Sequence, residues 1–402
     1  MSVAVSLKAR DVAARLSLLY AAIFLVFGVQ APFLPVWLGS RGLDINEIGL
    51  ILAAPRVLQF LTLPLLTRWA DHHGQVARML LISAALMALI YAGLIVADRR
   101  FALLALMGLL FCAQAGAMPL IDVLTFAIYR PHDASRSMVA DEAAAAPFDY
   151  GGIRKWGSAA FIAGNLLGGL FLTLTSLAAI NIALAWSAVL AAVAAIYAAP
   201  LDGLAQPAPP DRFSGAPARP PTLLWLVIGA AAIIQASHVL VLSFGSIHWA
   251  RAGYSSAFIG AVWAIGVGSE TLFFAFIGRW RAANDRAAGL LILGGGVALT
   301  RWIAMAFDPS ALVLALAQAG HGLSFAATHI GTMLLISELA PAHMRARAQG
   351  WMVAANSALS AALIALCGPL YGRLGEQAYF VMAGLALTGL AISVLIGARR
   401  AA

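Results

Sequence analysis

Charged residues are scarce in this chain. Asp, Glu, Lys and Arg make up 10% of its 402 residues, whereas hydrophobic residues make up 62%. A water-soluble domain carries about 25% charged residues, so this chain has too little charge to cover a globular surface in water. Its apolar runs match the roughly 20 residues with which a helix crosses a bilayer. The composition therefore excludes a soluble enzyme and predicts an all-α membrane protein.

Cysteine and catalytic signatures are also nearly absent. The two cysteines, Cys112 and Cys367, lie inside apolar runs, where cysteine serves as a small core residue. The sequence has no disulfide or zinc spacing, and neither H-E-x-x-H nor G-x-S-x-G occurs in it. We therefore predict a protein that is not an enzyme and that holds neither a metal nor a bound cofactor.

The net charge of +8 does not indicate a nucleic-acid partner, because the basic residues lie mainly at the ends of apolar runs. With the N-terminus placed in the cytoplasm, most of the Lys and Arg residues outside the runs fall in cytoplasmic loops. Loops rich in Lys and Arg stay inside the cell. The charge pattern therefore predicts that both termini are cytoplasmic.

The apolar runs predict twelve transmembrane helices. They lie near residues 16–38, 46–67, 77–97, 101–128, 152–174, 177–199, 223–249, 256–278, 287–306, 310–336, 346–371 and 377–397. A proline-rich segment at 201–221 has no helical pattern and is typical of a linker. We predict an N-terminal six-helix bundle at 1–200, a cytoplasmic linker at 201–221, and a C-terminal six-helix bundle at 222–402.

The two predicted bundles repeat each other in sequence. Three sets of identical residues recur at one offset (253 − 42 = 211), namely Gly42 and Gly253, Ile48-Gly49 and Ile259-Gly260, and Arg68-Trp69 and Arg279-Trp280. Parallel repeats of six helices are typical of the major facilitator fold, in which substrate binds near the bilayer midplane between the halves. We therefore predict two six-helix pseudo-repeats with a site between them.

Glu270 lies in the middle of the predicted span 256–278, and no Lys or Arg lies within one helical turn of it. A charged side chain at the bilayer centre costs about 2.5–3.5 kcal/mol, so it is kept for a reason. A carboxyl group removed from water holds its proton more tightly and can exchange it near neutral pH. Glu270 is therefore a candidate for proton coupling, although a protonated core carboxyl is the alternative. Its counterpart in the first repeat is the neutral Gln59.

Other polar residues in the predicted spans are candidates for the same site. Arg301 needs an anion, either Glu270 or a substrate carboxylate, and His321 can relay a proton; a structural ion pair and a satisfied core histidine are the alternatives. Asp122 and Arg154 lie toward the cytoplasmic ends of adjacent spans and predict a second pair, which could equally be a structural salt bridge. Further candidates for contacts with substrate are Gln59, His238, Trp263 and Tyr20, of which the two aromatic rings could stack on a ring-bearing substrate.

One loop resembles a gating motif. The sequence TRWADHHG at residues 67–74, followed by Arg78, resembles the G-x-x-x-D-x-x-G loop between the second and third spans of major facilitator transporters. The resemblance assigns gating contacts to Asp71, Gly74 and Arg78. The chain departs from the motif at Thr67, where the family prefers glycine.

More specific stretches identify a branch of that superfamily. They are DYGGIRKWGS at 149–158, QASH at 235–238, WARAGYS at 249–255, WAIGV at 263–267 and RARAQG at 345–350. Together they resemble the phenylpropionate permease-like branch, which is related to nucleoside–proton symporters and lactose permease. The resemblance implies substrate contacts for Asp122 and Arg154, and a coupling role for Arg301 and His321. It implies that Glu270 takes part in both substrate binding and proton coupling. Lactose permease-like proteins have a carboxylate where this chain has Ser324, which makes a galactoside substrate doubtful.

The function expected from these features is proton-coupled uptake of a small organic solute, with an aromatic carboxylate first and a nucleoside or sugar second. The alternatives are a proton-driven exporter of amphiphilic compounds and a non-transporting membrane receptor or assembly factor. The antiporter pattern G-P-x-x-G-G is absent from the fifth span, which favours uptake. We expect a monomer in the bacterial inner membrane, driven by the proton gradient, with its substrate, protons and lipid as its partners.

Overall fold

The protein is described from a computed structural model that covers residues 9–55, 57–58, 75–129, 149–204, 221–277, 286–341 and 344–401. Every regular element in these ranges is helical. The α-helices are α1 (Ala9–Ser40), α2 (Ile45–Pro55), α3 (Val76–Val96), α4 (Arg100–Gln114), α5 (Ala117–Ile128), α6 (Tyr150–Leu174), α7 (Ile180–Ala198), α8 (Thr222–Ala236), α9 (Ser246–Arg251), α10 (Ser256–Ile277), α11 (Ala287–Met305), α12 (Ala311–Ala319), α13 (Ala327–Leu339), α14 (Arg345–Leu374) and α15 (Tyr379–Ala401).

Ten helical segments of the described chain are long and apolar enough to cross a membrane. The last of them, Arg347–Arg400, contains most of α14 and of α15, which a 3₁₀ turn at Gly375–Ala378 joins. The shorter helix α2 covers the start of the predicted second span, and the remainder of that span lies outside the described residues. The structure therefore confirms an all-helical, multi-pass protein, while the count of twelve spans and the orientation of the termini stay predictions.

The chain divides into two compact units. Unit 1 comprises Met1–Leu34 and Val57–Pro210, and unit 2 comprises Pro35–Arg56 and Asp211–Ala402. The sequence pattern assigns all of residues 1–200 to one bundle, whereas the end of α1 and helix α2 group with unit 2. A Cβ atom at Gly49 on α2 would lie 3.2 Å from the backbone of Gly368 on α14, so these two helices meet at backbone distance.

The start of the predicted linker is folded. A 3₁₀ turn spans Ala199–Gly203, and Leu201 within it is buried. The Asp202 carboxylate accepts hydrogen bonds from the backbone N–H groups of Ala77 at 2.7 Å and Arg78 at 3.2 Å. Because the first N–H groups of a helix have no partner within the helix, this carboxylate caps α3. The ordered chain of unit 1 thus continues past residue 200, and residues 205–220 lie outside the described part.

Two glycines of the sequence repeat share an unusual backbone conformation. Gly42 has φ of 79° and Gly253 has φ of 88°. Residues with a Cβ rarely adopt this left-handed region, which glycine enters freely. The positive φ therefore explains why glycine occupies matching positions of the two repeats, in the turns that follow α1 and α9.

Two spans of unit 2 are interrupted by π-helical turns. One turn, at Val241–Gly245, joins α8 to α9, and the other, at Gly322–Ala326, joins α12 to α13. Both turns contain the sequence Leu-Ser-Phe, and their serines, Ser243 and Ser324, are buried. Single π turns occur frequently at functional sites because they redirect side chains within a helix.

Candidate substrate and proton-coupling site

Asp122, in unit 1, is held by two tyrosines. Its carboxylate accepts hydrogen bonds from the hydroxyl of Tyr20 on α1 and from that of Tyr150 at the start of α6, the latter at 2.9 Å. The Tyr20 side chain is completely buried. In this structure packing covers the Tyr20 ring, and its hydroxyl positions Asp122. The stacking of substrate on this ring stays a prediction.

The predicted ion pair between Asp122 and Arg154 is absent from this structure. The Arg154 guanidinium instead lies over the ring of Phe24, 4.3 Å from its centroid, and 5.5 Å from the centroid of Tyr20. A planar cation over an aromatic face is stabilised by the negative charge density of the ring. Arg154 has no ion pair with any described residue, so its charge is held by aromatic rings and is only partly buried.

Glu270 and His321, which the sequence makes candidates for proton coupling, lie in contact in unit 2. The Glu270 Oε2 atom lies 3.6 Å from His321 Nε2, and the two side chains are 25% and 14% exposed. The His321 ring stacks on Phe325 at 5.3 Å. This arrangement places a carboxylate beside an imidazole in a site that is mostly, but not completely, closed.

A close helix contact fixes that pair. The backbone N–H of Gly322 donates to Ser269 Oγ at 3.0 Å, and a Cβ at Gly322 would collide with the backbone of Ser269. Glu270 directly follows Ser269, and His321 directly precedes Gly322. The absence of a side chain at Gly322 therefore lets α10 approach the π turn closely enough to bring the carboxylate to the imidazole.

Arg301 is buried among neutral acceptors. Its Nε donates to the carbonyl oxygen of Ala317 at 2.6 Å, its Nη2 to Gln318 Oε1 at 2.7 Å and its Nη1 to Ser324 Oγ at 2.6 Å. Of the two anions considered as partners of Arg301, Glu270 lies against His321 in this structure, and a substrate carboxylate stays a prediction. A guanidinium stays charged under all ordinary conditions, so this part of unit 2 holds an arginine without a contacting carboxylate among the described residues.

Ser324 links the arginine to a second histidine. His238 is completely buried, and its Nδ1 lies 3.1 Å from the carbonyl oxygen of Ile234, while its Nε2 lies 3.0 Å from Ser324 Oγ. Because a carbonyl oxygen only accepts, His238 Nδ1 carries a proton. The Ser324 hydroxyl lies within hydrogen-bond distance of His238 Nε2 and also of the His321 carbonyl oxygen, at 3.2 Å. The His238 ring then packs edge-on against His321 at 5.5 Å. We call Arg301, Ser324, His238, His321 and Glu270 the polar chain of unit 2.

Trp263 lies on α10, the helix that carries Glu270, and is engaged in packing. Its indole Nε1 donates to Ser246 Oγ at 2.8 Å, and the residue is 9% exposed. An indole N–H is a donor only, so this bond satisfies it. In this structure Trp263 braces α10 against α9, and a stacking role for its ring stays a prediction.

Several predicted residues lie outside the described part of the chain, namely Gln59, Asp71 and Gly74. Arg78 is described and lies in the first turn of α3, where its Nη1 donates to Gln75 Oε1 at 3.3 Å. Its backbone N–H donates to Asp202, as given above. The gating role of this loop stays a prediction.

The sequence reasoning missed the buried Gln318, and it gave no role to the buried Gln114. Gln318 holds Arg301, and Gln114 in unit 1 donates through Nε2 to Gln30 Oε1 at 2.6 Å and to the Tyr91 hydroxyl at 2.9 Å. Both glutamines occur in the sequence Ala-Gln-Ala-Gly, at 113–116 and 317–320. This second internal repeat was the signal that could have identified both, but it has an offset (318 − 114 = 204) different from that of the other pairs.

The chemistry available here is binding and proton exchange. Within the described ranges, no group of three His, Cys, Asp or Glu residues is arranged to hold a metal ion. The polar chain of unit 2 offers one exchangeable proton at the Glu270–His321 pair and one permanent positive charge at Arg301. These groups can bind a charged solute and a proton without covalent chemistry.

Comparisons with known proteins agree with the fold. Over 388 residues the chain is 26% identical to the probable 3-phenylpropionic acid transporter of Escherichia coli (strain K12), covering 93% of this chain and 95% of that protein. Among solved structures it resembles the nucleoside transporter NupG, with a TM-score of 0.74 at 16% identity over 96% of this chain and 98% of that one. It also resembles the peptide transporter POT in complex with sulfate, with a TM-score of 0.70 at 14% identity over 96% and 94% of the two chains.

Residues 13–382 match the MFS_1 like family, which accounts for nearly the whole chain. The apolar helices, the polar residues within them and these relatives lead to one assignment. The chain belongs to the MFS_1 like family of major facilitator transporters.

Proposed function

We propose that this protein imports an aromatic carboxylate, of the kind represented by 3-phenylpropionate, together with a proton. The observation that carries the proposal is the burial of Arg301 among neutral acceptors, in the same polar chain as the Glu270–His321 pair. The related Escherichia coli protein, described as a probable 3-phenylpropionic acid transporter, supports the same class of solute.

The charges of the polar chain favour an anion. With Glu270 ionised, its negative charge offsets the positive charge of Arg301, and the chain is neutral. A proton on Glu270 leaves Arg301 uncompensated, and an isolated charge is costly in a low-dielectric medium. A bound carboxylate then restores neutrality, so the proton and the anionic solute each favour the binding of the other.

Neutral solutes do not restore that balance. A nucleoside or a sugar would leave the protonated chain with one net positive charge. A carboxylate at the position of Ser324 would neutralise the charge of Arg301 permanently and would remove the need for an anionic solute. The neutral serine leaves that charge to be balanced by the solute. Alternating access then requires that binding of both partners lowers the cost of the change between outward and inward states.

A binding panel tests the solute class. Purified protein is heated with 3-phenylpropionate, uridine or a galactoside at a mildly acidic and a mildly alkaline pH, and the unfolding temperature is measured. We expect stabilisation by 3-phenylpropionate, stronger at the acidic pH, because a ligand that binds the native state raises its stability. Stabilisation by uridine or the galactoside alone would contradict the proposal. If overproduction of the protein made cells more resistant to a toxic amphiphilic compound, that result would instead support export.

A further inference from the structure

A cavity of about 460 Å³ lies at one end of unit 1, and Asp122 is not among its lining residues. It is bounded by the first turns of α1, by the residue after α5 and by the first turns of α6. The lining residues that matter here are Arg10, Tyr129, Asp149, Gly152, Lys155 and Trp156. The charge pattern of the sequence places this end of the unit in the cytoplasm.

Two basic side chains line the cavity, and no described residue neutralises them. Arg10 and Lys155 are both exposed, and neither makes a hydrogen bond or an ion pair with a residue in the described ranges. The acid in the lining, Asp149, accepts a hydrogen bond from the backbone N–H of Gly152 at 2.7 Å. Its charge is thus directed at the N-terminus of α6, where a carboxylate is favoured by the helix dipole. Within the part of the chain that the structure describes, no group competes with an anion for these two cations.

The rest of the lining is suited to the boundary between water and lipid. Trp156 is 53% exposed, and Tyr129 is partly buried beside it at the cavity. Ala13, Ala14 and Ile153 complete the lining with apolar surface. Trp and Tyr concentrate at the headgroup level of a bilayer because their rings are apolar and carry one polar group.

We propose that this cavity binds the phosphodiester headgroup of an anionic phospholipid from the cytoplasmic leaflet. Basic pockets between transmembrane helices on the cytoplasmic side commonly hold such headgroups. The Arg10 guanidinium can donate two parallel hydrogen bonds to phosphate oxygens, and the Lys155 ammonium adds a point charge. The exposed indole of Trp156 then lies along the glycerol and upper acyl chain. Free phosphate shares the anionic chemistry but gains nothing from the aromatic and apolar lining.

The test measures lipid binding to the full-length protein. Protein in a neutral detergent is mixed with phosphatidylglycerol, phosphatidylcholine or inorganic phosphate, and the unfolding temperature and native mass spectrum are recorded. We expect phosphatidylglycerol to raise the unfolding temperature and to remain bound in the mass spectrum. Phosphatidylcholine and inorganic phosphate should do neither. The double variant Arg10→Gln/Lys155→Gln should lose most of the phosphatidylglycerol shift.

A matched control removes two positive charges elsewhere. Arg99 and Arg373 are exposed and, like Arg10 and Lys155, have no ion pair among the described residues. The variant Arg99→Gln/Arg373→Gln should keep the full phosphatidylglycerol shift. Equal shifts in both double variants, or an equal effect of inorganic phosphate, would overturn the proposal. If the cavity variant unfolds when purified, Trp156→Ala with unchanged Arg10 and Lys155 should weaken lipid retention, and unaltered retention would also count against the proposal.

Discussion

The Nη1 atom of Arg301 donates a hydrogen bond of 2.6 Å to the hydroxyl oxygen of Ser324. This bond places a neutral group against a permanent positive charge inside a membrane protein. A carboxylate here would form a short ion pair, and charge-assisted pairs of that kind are roughly twice as strong as neutral hydrogen bonds. Because serine is neutral, the charge of Arg301 is left to be balanced by Glu270 or by a solute.

The first prediction concerns the charge at position 324. Ser324→Asp should lower the apparent affinity for 3-phenylpropionate about tenfold or more, because the solute would compete with an ion pair worth about 1.4 kcal/mol. Ser324→Ala removes the hydroxyl without adding charge and should change the affinity much less. Initial uptake rates over a range of solute concentrations give both values. Equal losses in the two variants would mean that the charge is irrelevant.

The second prediction concerns proton exchange at Glu270. Glu270→Gln should abolish accumulation against a gradient, since an amide cannot take up and release a proton, but should retain exchange of labelled for unlabelled solute. Glu338→Gln is the control, because Glu338 is exposed and paired with Arg400 at 2.6 Å, away from the polar chain. Accumulation and exchange are measured in the same proteoliposomes. Wild-type accumulation by Glu270→Gln would remove this residue from the coupling step.

The third prediction tests the close contact at Gly322. Gly322→Ala should destabilise the protein by about 1–3 kcal/mol, because the new methyl group overpacks a filled contact. It should also slow proton-coupled uptake by moving His321 away from Glu270. Gly268→Ala is a matched control on α10, since a Cβ at Gly268 would meet no atom within 4 Å. Thermal unfolding and uptake distinguish the two variants, and similar behaviour would contradict the contact described here.

The fourth prediction concerns backbone strain at Asp308, in the turn between α11 and α12. Asp308 has φ of 50°, and its Oδ1 lies 3.1 Å from His248 Nε2. A left-handed backbone costs an ordinary residue about 1–2 kcal/mol, and Asn tolerates it better than Ala. Asp308→Asn should therefore unfold at a higher temperature than Asp308→Ala. The reverse order would mean that neither the backbone conformation nor the contact with His248 contributes at this turn.

The fold was largely predictable because bilayer crossing imposes a strong length and hydrophobicity pattern. The helix from Ala287 to Met305, for example, is within one residue of its predicted span. The grouping of Pro35–Arg56 with unit 2 was not predictable, since both groups of helices are equally apolar and the pattern carries no information about partners.

The candidate site was predictable in its charged residues and not in their pairing. Glu270, Arg301 and His321 are conspicuous because charge is rare in spans, but no contact between Glu270 and His321 was predicted. An Asp122–Arg154 pair was expected. Asp122 is instead held by two tyrosines, which lie on helices other than its own, namely α1 and α6. The sequence marks Ser324 only as the position of a missing carboxylate and does not mark Gln318 at all, and only the folded chain brings them to Arg301.

The most direct test of proton-coupled uptake of an aromatic carboxylate is the pH inside proteoliposomes when solute is added outside. Vesicles with a trapped pH indicator receive 3-phenylpropionate, and the signal of protein-free vesicles is subtracted to remove passive entry of the neutral acid. We predict rapid acidification of the lumen with the wild-type protein and none beyond the passive signal with Glu270→Gln. Solute entry without extra acidification, or equal acidification by both proteins, would contradict the account.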